Sequence, residues 1–208
     1  MSHIYNSSIL GGVFPDNMKT AKIIPIYNKG DTSDLKNYRP ISILTSFSKI
    51  FEKIIYVRLL QYLDEFDILN DSQYGFRCGR STCDAILKLT DHILQKFDKK
   101  FYSIAVFLDL KKAFETVNHS ILLQKLASIG LSDLAICWFQ TYLTGRKQYV
   151  KFKNSLSDYK FINHSVPQSS NLDPVLFIIY INDIINSLSF LKPILFADHS
   201  CFFVREKI

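Results

Sequence analysis

Ile104-Ala105-Val106-Phe107-Leu108-Asp109 and Pro193-Ile194-Leu195-Phe196-Ala197-Asp198 are two short apolar runs that each close on an aspartate. A run of this length bounded by polar residues predicts a strand buried on both faces, and an aspartate at the mouth of such a strand calls for a partner. If the two strands are neighbours, their carboxylates converge. Like charges a few ångströms apart either shift a pKa strongly or share a cation, and paired carboxylates suit divalent metals. The plainer alternative is that each aspartate opens a turn. Only Asp198-His199-Ser200 separates residues 193–197 from the apolar residues 201–204, which predicts a tight β-hairpin with a carboxylate at its tip.

The bulk properties bound the answer. With 208 residues, 48% of them hydrophobic, the chain can bury a real core as one large domain or two small lobes. Its net charge of +6 comes from 25 basic and 19 acidic residues, with the surplus concentrated in residues 81–164. A pI near 9.0 permits a polyanionic partner such as nucleic acid, although ordinary soluble domains share it. The four cysteines form no CxxC pair, which excludes a zinc framework or a disulfide scaffold and fits reduced thiols in cytoplasm or nucleus. The N-terminus lacks a basic segment followed by a long apolar one. The most apolar run, residues 175–181, is far shorter than the roughly 20 residues that span a bilayer, so an intracellular protein with no membrane partner is expected.

Along the chain, residues 1–17 read as an irregular lead-in and residues 18–208 as one domain. A short strand is predicted at 22–27, followed by the turn residues Asn28-Lys29-Gly30-Asp31 and a basic loop through Asn37-Tyr38-Arg39-Pro40. Phe47, Ile50, Phe51, Ile54, Ile55, Leu59 and Leu63 recur at helical spacing and predict an amphipathic helix over 46–66. Ser81 with Asp84 three residues on reads as a capping box for a helix through Ile86, Leu89, Ile93 and Phe97. Further helices are predicted from Ser120 to Gly130, from Ser132 past Trp138, and over 174–187, with a hairpin joining 146–153 to 159–163. Strands and helices mix without strict alternation, so the expected class is α+β, an antiparallel sheet with helices packed on one face.

Seven stretches then carry a resemblance: AKIIPIYNKGD, NYRPISIL, QYGFR followed by ST, FLDLKKAFETVNH, YLTGRKQYV, SVPQSSNLDPVLFIIYIND and LFADH. In this order the chain resembles the reverse transcriptase domain of non-long-terminal-repeat retrotransposons, the jockey-like branch in particular. The resemblance implies a polymerase right hand, with fingers over residues 18–104 and palm motifs around Asp109, Pro167 and Asp198. It implies RNA-directed DNA polymerisation from an RNA template, a DNA primer and dNTPs. Asp109 and Asp198 become the catalytic ligands of two Mg²⁺ ions, because nucleotidyl transfer needs a divalent pair at the primer hydroxyl and the triphosphate. Phe114 falls where the family sets an aromatic against the nucleotide sugar, though a core phenylalanine reads equally well. Gln168 falls near the nucleotide and template base. Lys22, Arg39 and Arg77 match basic finger positions suited to phosphate. Arg146, Lys147, Lys151 and Lys153, interleaved with Tyr149 and Phe152, either track a nucleic-acid backbone or form a solvated hairpin face.

The chain also departs from the family pattern. His199 stands where the family has a second aspartate, which removes a negative charge and substitutes nitrogen for the oxygen that Mg²⁺ prefers. Ser165 and Ser169 replace two glycines beside Gln168, adding side chains where the template–nucleotide pair would press. Asn171-Leu172-Asp173-Pro174 replaces a Leu-Gly-Pro turn, and Glu115 an aspartate. The sequence ends shortly after Asp198, so the expectation is fingers and palm without a thumb, a degenerate and truncated copy. Three readings stay open: a polymerase by descent with little or no activity, a non-catalytic nucleic-acid-binding remnant, or an unselected product that folds incompletely.

Overall fold

In the computed structural model the described residues are 2–110, 113–162, 170–188 and 191–204. In chain order the elements are α1 (Ser2–Gly11), β1 (Thr20–Tyr27), β2 (Tyr38–Ile43), α2 (Ser46–Glu65), α3 (Thr82–Asp98), β3 (Ala105–Asp109), α4 (His119–Ser128), α5 (Asp133–Leu143), β4 (Arg146–Phe152), β5 (Ser155–Leu156), β6 (Lys160–Ile162), α6 (Asp173–Ile181), β7 (Leu191–Phe196) and β8 (His199–Val204). A 3-10 stretch, Asn182–Leu188, continues α6. The chain divides into two compact units, one of residues 1–59 and 114–173, the other of residues 60–113 and 174–208.

The first unit holds a sheet in the order β2-β1-β4-β5, with β6 also paired to β4. The β1–β2 pair is antiparallel, whereas β1 and β4 run parallel. That parallel pairing links segments more than a hundred residues apart, and no local pattern announces it. Of the basic loop expected through Asn37-Tyr38-Arg39-Pro40, Asn37 ends a 3-10 turn and Tyr38-Arg39-Pro40 instead start β2. Pro40 lies opposite Pro25, so the missing amide donors of both strands fall on one pair and the ladder closes around them. Residues 1–17, expected to be irregular, contain α1, whose Ser8 hydroxyl accepts from the Trp138 indole N–H at 3.1 Å. The core beside it is aromatic. Phe14 and Phe51 lie parallel at 5.8 Å, and Trp138 meets Phe14 edge-on at 5.4 Å, geometries that ring quadrupoles favour. Asn118 caps α4 by accepting from the Ser120 and Ile121 amides, and Ser132 caps α5.

The second unit is a three-stranded antiparallel sheet, β3-β8-β7, as the apolar runs predict. Ser81 caps α3 as read from sequence, its hydroxyl accepting from the Asp84 amide while Asp84 accepts from the Ser81 amide. Ala85 of α3 packs with Ile194, Cys201 and Phe203 of the hairpin on one face of this sheet. One expectation fails. β3 is an edge strand, and its Val106, Phe107 and Leu108 are 47%, 68% and 45% exposed rather than buried on both faces. Periodicity identifies a strand but says nothing of how many neighbours it has. Among the described residues, no helix is long and apolar enough to cross a membrane.

Candidate metal centre

β7 and β8 are joined by only two residues, Ala197 and Asp198, because Phe196 pairs directly with His199. So short a loop requires a left-handed residue, and Ala197 supplies it at φ 54°. A non-glycine residue there is strained and persists only where its surroundings fix it. The brace is Gln73. Its side-chain oxygen accepts from the Ala197 amide at 3.1 Å and from the Gly75 amide at 2.8 Å. The same segment runs alongside β7, with the Tyr74 amide donating to Leu195 O and the Leu195 amide to Ser72 O, both at 2.8 Å. Gly75 has to be glycine, since a Cβ there would lie 3.0 Å from Phe196 C and 3.1 Å from the Ala197 Cβ. On the other side, the Leu110 amide reaches Asp198 O at 3.2 Å.

This frame brings the two sequence-predicted aspartates together. β3 pairs with β8 so that Asp109 lies opposite His199. Their side chains approach to 3.6 Å (Oδ1 to Nδ1), with Asp109 78% and His199 66% exposed. Ligand atoms of Asp109, Asp198 and His199 all lie within 4.8 Å of one another. Two donors bound to one ion at about 2.1–2.4 Å stand at most about 4.2–4.8 Å apart, so the three groups lie within reach of a single divalent cation. The donor set fits one ion well. Its mixed O,O,N chemistry suits Mn²⁺ or Zn²⁺ better than Mg²⁺. His199 is thus a third ligand in geometry, though the sequence marks it only as a departure.

The remaining predicted residues separate. In register, Lys22 lies beside Tyr149 of β4 and opposite Ile43 of β2, while Arg39 lies opposite Ile26, so Lys22 and Arg39 project from one face of the sheet. Thr20 pairs with Lys147, and Lys147 with Phe161 of β6, which puts Lys147, Tyr149 and Lys151 on that same face. The Lys147 ammonium sits 5.1 Å from the Phe161 ring. Phe114 is half-buried in the 3-10 turn Ala113–Thr116. Gln168 lies outside the described residues, as do Ser165 and Ser169.

Two arginines depart from their predicted roles. Arg77 spends its guanidinium on the Leu69 and Asn70 carbonyls at 3.2 and 3.0 Å, holding the loop after α2. Arg146, expected in the solvated basic stripe, is 2% exposed. It donates to Tyr142 O at 3.0 Å and lies 4.8 Å from the Tyr142 ring. Alternation along β4 turns it to the face opposite Lys147. Its charge is answered by Glu52 of α2, which is fully buried. Glu52 accepts from Ser48 Oγ (3.1 Å), Tyr142 OH (3.3 Å) and the Asn171 amide (3.2 Å). Burial pushes its carboxyl above the ordinary range, with Arg146 pulling the other way. Nearby Asp173 is pushed up to about 8, first by burial and then by the Glu52 charge. Glu52 reads as one more polar residue on an amphipathic helix, and only the fold reveals it as a hub.

Comparison with known proteins adds the last finding. The sequence profile of the family described as reverse transcriptase (RNA-dependent DNA polymerase) matches residues 26–207. The chain is 38% identical over 182 residues to the probable RNA-directed DNA polymerase from transposon BS of Drosophila melanogaster, covering 87% of this chain and 20% of the relative. It is 34% identical to the RNA-directed DNA polymerase from mobile element jockey of the same organism, covering 86% and 20%. The chain therefore spans about a fifth of the length of these relatives. Among solved structures, apo telomerase from Candida tropicalis, truncated from its C-terminal domain, superposes with a TM-score of 0.66 at 15% identity, over 94% of this chain and 45% of that one. At that identity the likeness concerns the fold alone, and it agrees with fingers and palm.

Proposed function

The chain belongs to the reverse transcriptase (RNA-dependent DNA polymerase) family, and from that premise we propose that it is the fingers and palm of a retrotransposon polymerase whose metal centre no longer sustains Mg²⁺-dependent synthesis. The observation that carries this reading is the convergence of Asp109 and Asp198 at one hairpin tip with an imidazole as third donor. A divalent ion held there would activate the primer hydroxyl and neutralise the triphosphate. Asp109 and Asp198 would supply its hard oxygens. His199, in place of a carboxylate, leaves the site one negative charge short and biases it toward softer ions. By the family resemblance, Phe114 and Gln168 would shape the nucleotide site, and Lys22 and Arg39 would meet the triphosphate or template.

Primer extension on an RNA template with dNTPs tests this, in Mg²⁺ and then Mn²⁺, for the parent chain, Asp109→Asn and His199→Asp. The expectation is negligible extension by the parent in Mg²⁺, more in Mn²⁺, and none in either for Asp109→Asn. Robust Mg²⁺-dependent extension by the parent that Asp109→Asn abolishes would overturn the claim of lost synthesis.

A second reading, nucleic-acid binding without catalysis, is favoured by the sheet face bearing Lys22, Arg39, Lys147, Tyr149 and Lys151. Basic side chains alternating with an aromatic suit a phosphate backbone with stacked bases. A gel shift with primer–template should then weaken steeply with salt, log affinity falling linearly with log salt. Absence of any shift at low salt would rule it out.

A further inference from the structure

The second unit carries a group of cations that its own carboxylates do not answer. Lys88, His92 and Lys96 follow one another at four-residue spacing along one face of α3. On β7, Lys192 lies opposite Phe203 of β8, so both leave the sheet on the side that α3 covers, where Phe203 packs with Ala85. The His92 ring lies 4.1 Å from the Phe203 ring, which brings the helix cations and the strand cation together. Burial first, then Lys192, Lys96 and Lys88, hold this imidazole below its ordinary value, with Asp91 pulling the other way. Asp91 in turn accepts from the Gln95 side-chain amide at 2.8 Å. None of the three lysines enters an ion pair among the described residues. A cavity of about 430 Å³ is lined by Lys88 and Lys192, with Tyr74 and Arg80 also in its wall. Its two carboxylates are committed: Asp71 pairs with Arg80 at 2.5 Å, and Asp84 closes the α3 capping box.

We propose that this flank of α3 and β7 is a nucleic-acid contact, on which Lys88, Lys96 and Lys192 hold phosphates of one strand. Like charges gathered without a counter-charge repel one another, and a bound polyanion relieves that repulsion. Eight residues of helix separate Lys88 from Lys96 by about 12 Å along the axis. The charge is thus laid out along a line, which suits a polyanion better than a single phosphate. The choice of nucleic acid over an acidic protein rests on the chain's membership of a polymerase family. The contact is separate from the metal centre. The Lys192–Phe203 pair lies four residues from the Phe196–His199 pair beside the hairpin tip, or about 13 Å along the sheet. A strand held here is bound whether or not the metal centre sustains synthesis.

Fluorescence anisotropy with a labelled single-stranded RNA across a salt series tests this on the whole chain. Two triple variants stand beside the parent: Lys88→Gln with Lys96→Gln and Lys192→Gln, and a control of equal charge, Lys49→Gln with Lys53→Gln and Lys160→Gln, whose lysines are exposed in the first unit. The first variant should lower the slope of log affinity against log salt by about 2, at about 0.7 per phosphate contact, and the control by less than about 1. Unchanged far-UV dichroism would show that both fold. His92 supplies a readout on the parent itself that a merely structural cluster would not move. In proton NMR, with its signal assigned by loss in His92→Gln, its titration midpoint should rise when the RNA binds, because phosphates offset the neighbouring lysines. A parent that binds RNA while the two triple variants change the slope equally, or while its His92 midpoint stays put, would overturn this contact and leave the Lys147 face standing. No binding by the parent at low salt would overturn both. Polyglutamate of matched charge that displaces the label as readily as unlabelled RNA would assign the flank to an acidic protein and overturn the proposal as well.

Discussion

Arg146→Ala separates the buried role of this arginine from the surface role that the sequence suggests. Removing the guanidinium leaves Glu52 buried with its hydroxyl and amide donors but without the Arg146 cation that answers its charge. Leaving a buried carboxylate without the cation that compensates it costs about 3–5 kcal/mol. Two things modify that figure. Arg146 Nε and Nη2 are buried with no hydrogen-bond partner among the described residues, so losing them returns about 1–3 kcal/mol. The guanidinium's contact with the Tyr142 and Phe14 rings is lost as well, which restores part of the cost. The net is a destabilisation of about 3 kcal/mol, or about 6–12 °C in melting temperature for a chain of this size. The assay is thermal melting at pH 7, paired with the nucleic-acid gel shift. Glu52→Gln combined with Arg146→Met removes both charges together and should recover most of the lost stability. A surface arginine would behave in the opposite way. If Arg146→Ala melts within about a degree of the parent while its affinity for nucleic acid drops, the buried network is wrong.

Asp173 makes stability depend on pH. The folded chain holds a proton to about pH 8 that the unfolded chain releases near pH 4, so stability is full below that window and falls as pH rises through it. Asp173→Asn should flatten the melting profile and gain most on the parent at pH 8–9, and parallel profiles would refute this. Gly75→Ala should destabilise the second unit by about 1–3 kcal/mol, because backbone at Phe196 and Ala197 has to move, and an unchanged melting curve would count against the close approach. Lys147→Ala together with Lys151→Ala should leave melting unchanged and lower the steepness of the salt dependence by about one to two ions released. An unaltered slope would take nucleic acid off that face.

What the sequence discloses about this fold follows the range of the interactions involved. The α3 cap at Ser81 and Asp84 is set by residues within four positions of one another and stands as read, and the hairpin lies where it was read, although its loop is Ala197-Asp198 rather than Asp198-His199-Ser200. The juxtaposition of Asp109 with Asp198 was legible because each aspartate ends its own apolar run. The parallel β1–β4 pair was not, since register between distant strands leaves no local trace. Arg146 was misread for a related reason. Its alternation with Lys147 points to the opposite sheet face, but whether that face is wet depends on Glu52, Tyr142 and Phe14, which arrive from α2, α5 and the α1–β1 connection. β3 shows the converse error: an apolar run predicts burial only where a neighbour exists to cover it.

Shape and charge at the hairpin tip rest on different residues. Gln73 and Gly75 fix the strained Ala197, and with it the direction in which Asp198 leaves the turn. None of these positions departs from the pattern that the family resemblance leads one to expect, and the carboxylates of Asp109 and Asp198 still converge on His199. The substitution at His199 falls on the residue that pairs across to Asp109, outside the brace. An imidazole there satisfies the same register and adds an approach of 3.6 Å to the Asp109 carboxylate, so the β3–β8 ladder does not require an aspartate at this position. A hard cation such as Mg²⁺ is held less tightly, because an imidazole in place of a carboxylate takes a full negative charge from an exposed site. The register of the β3–β8 ladder and the direction of the hairpin tip thus do not depend on which of the two side chains stands at position 199.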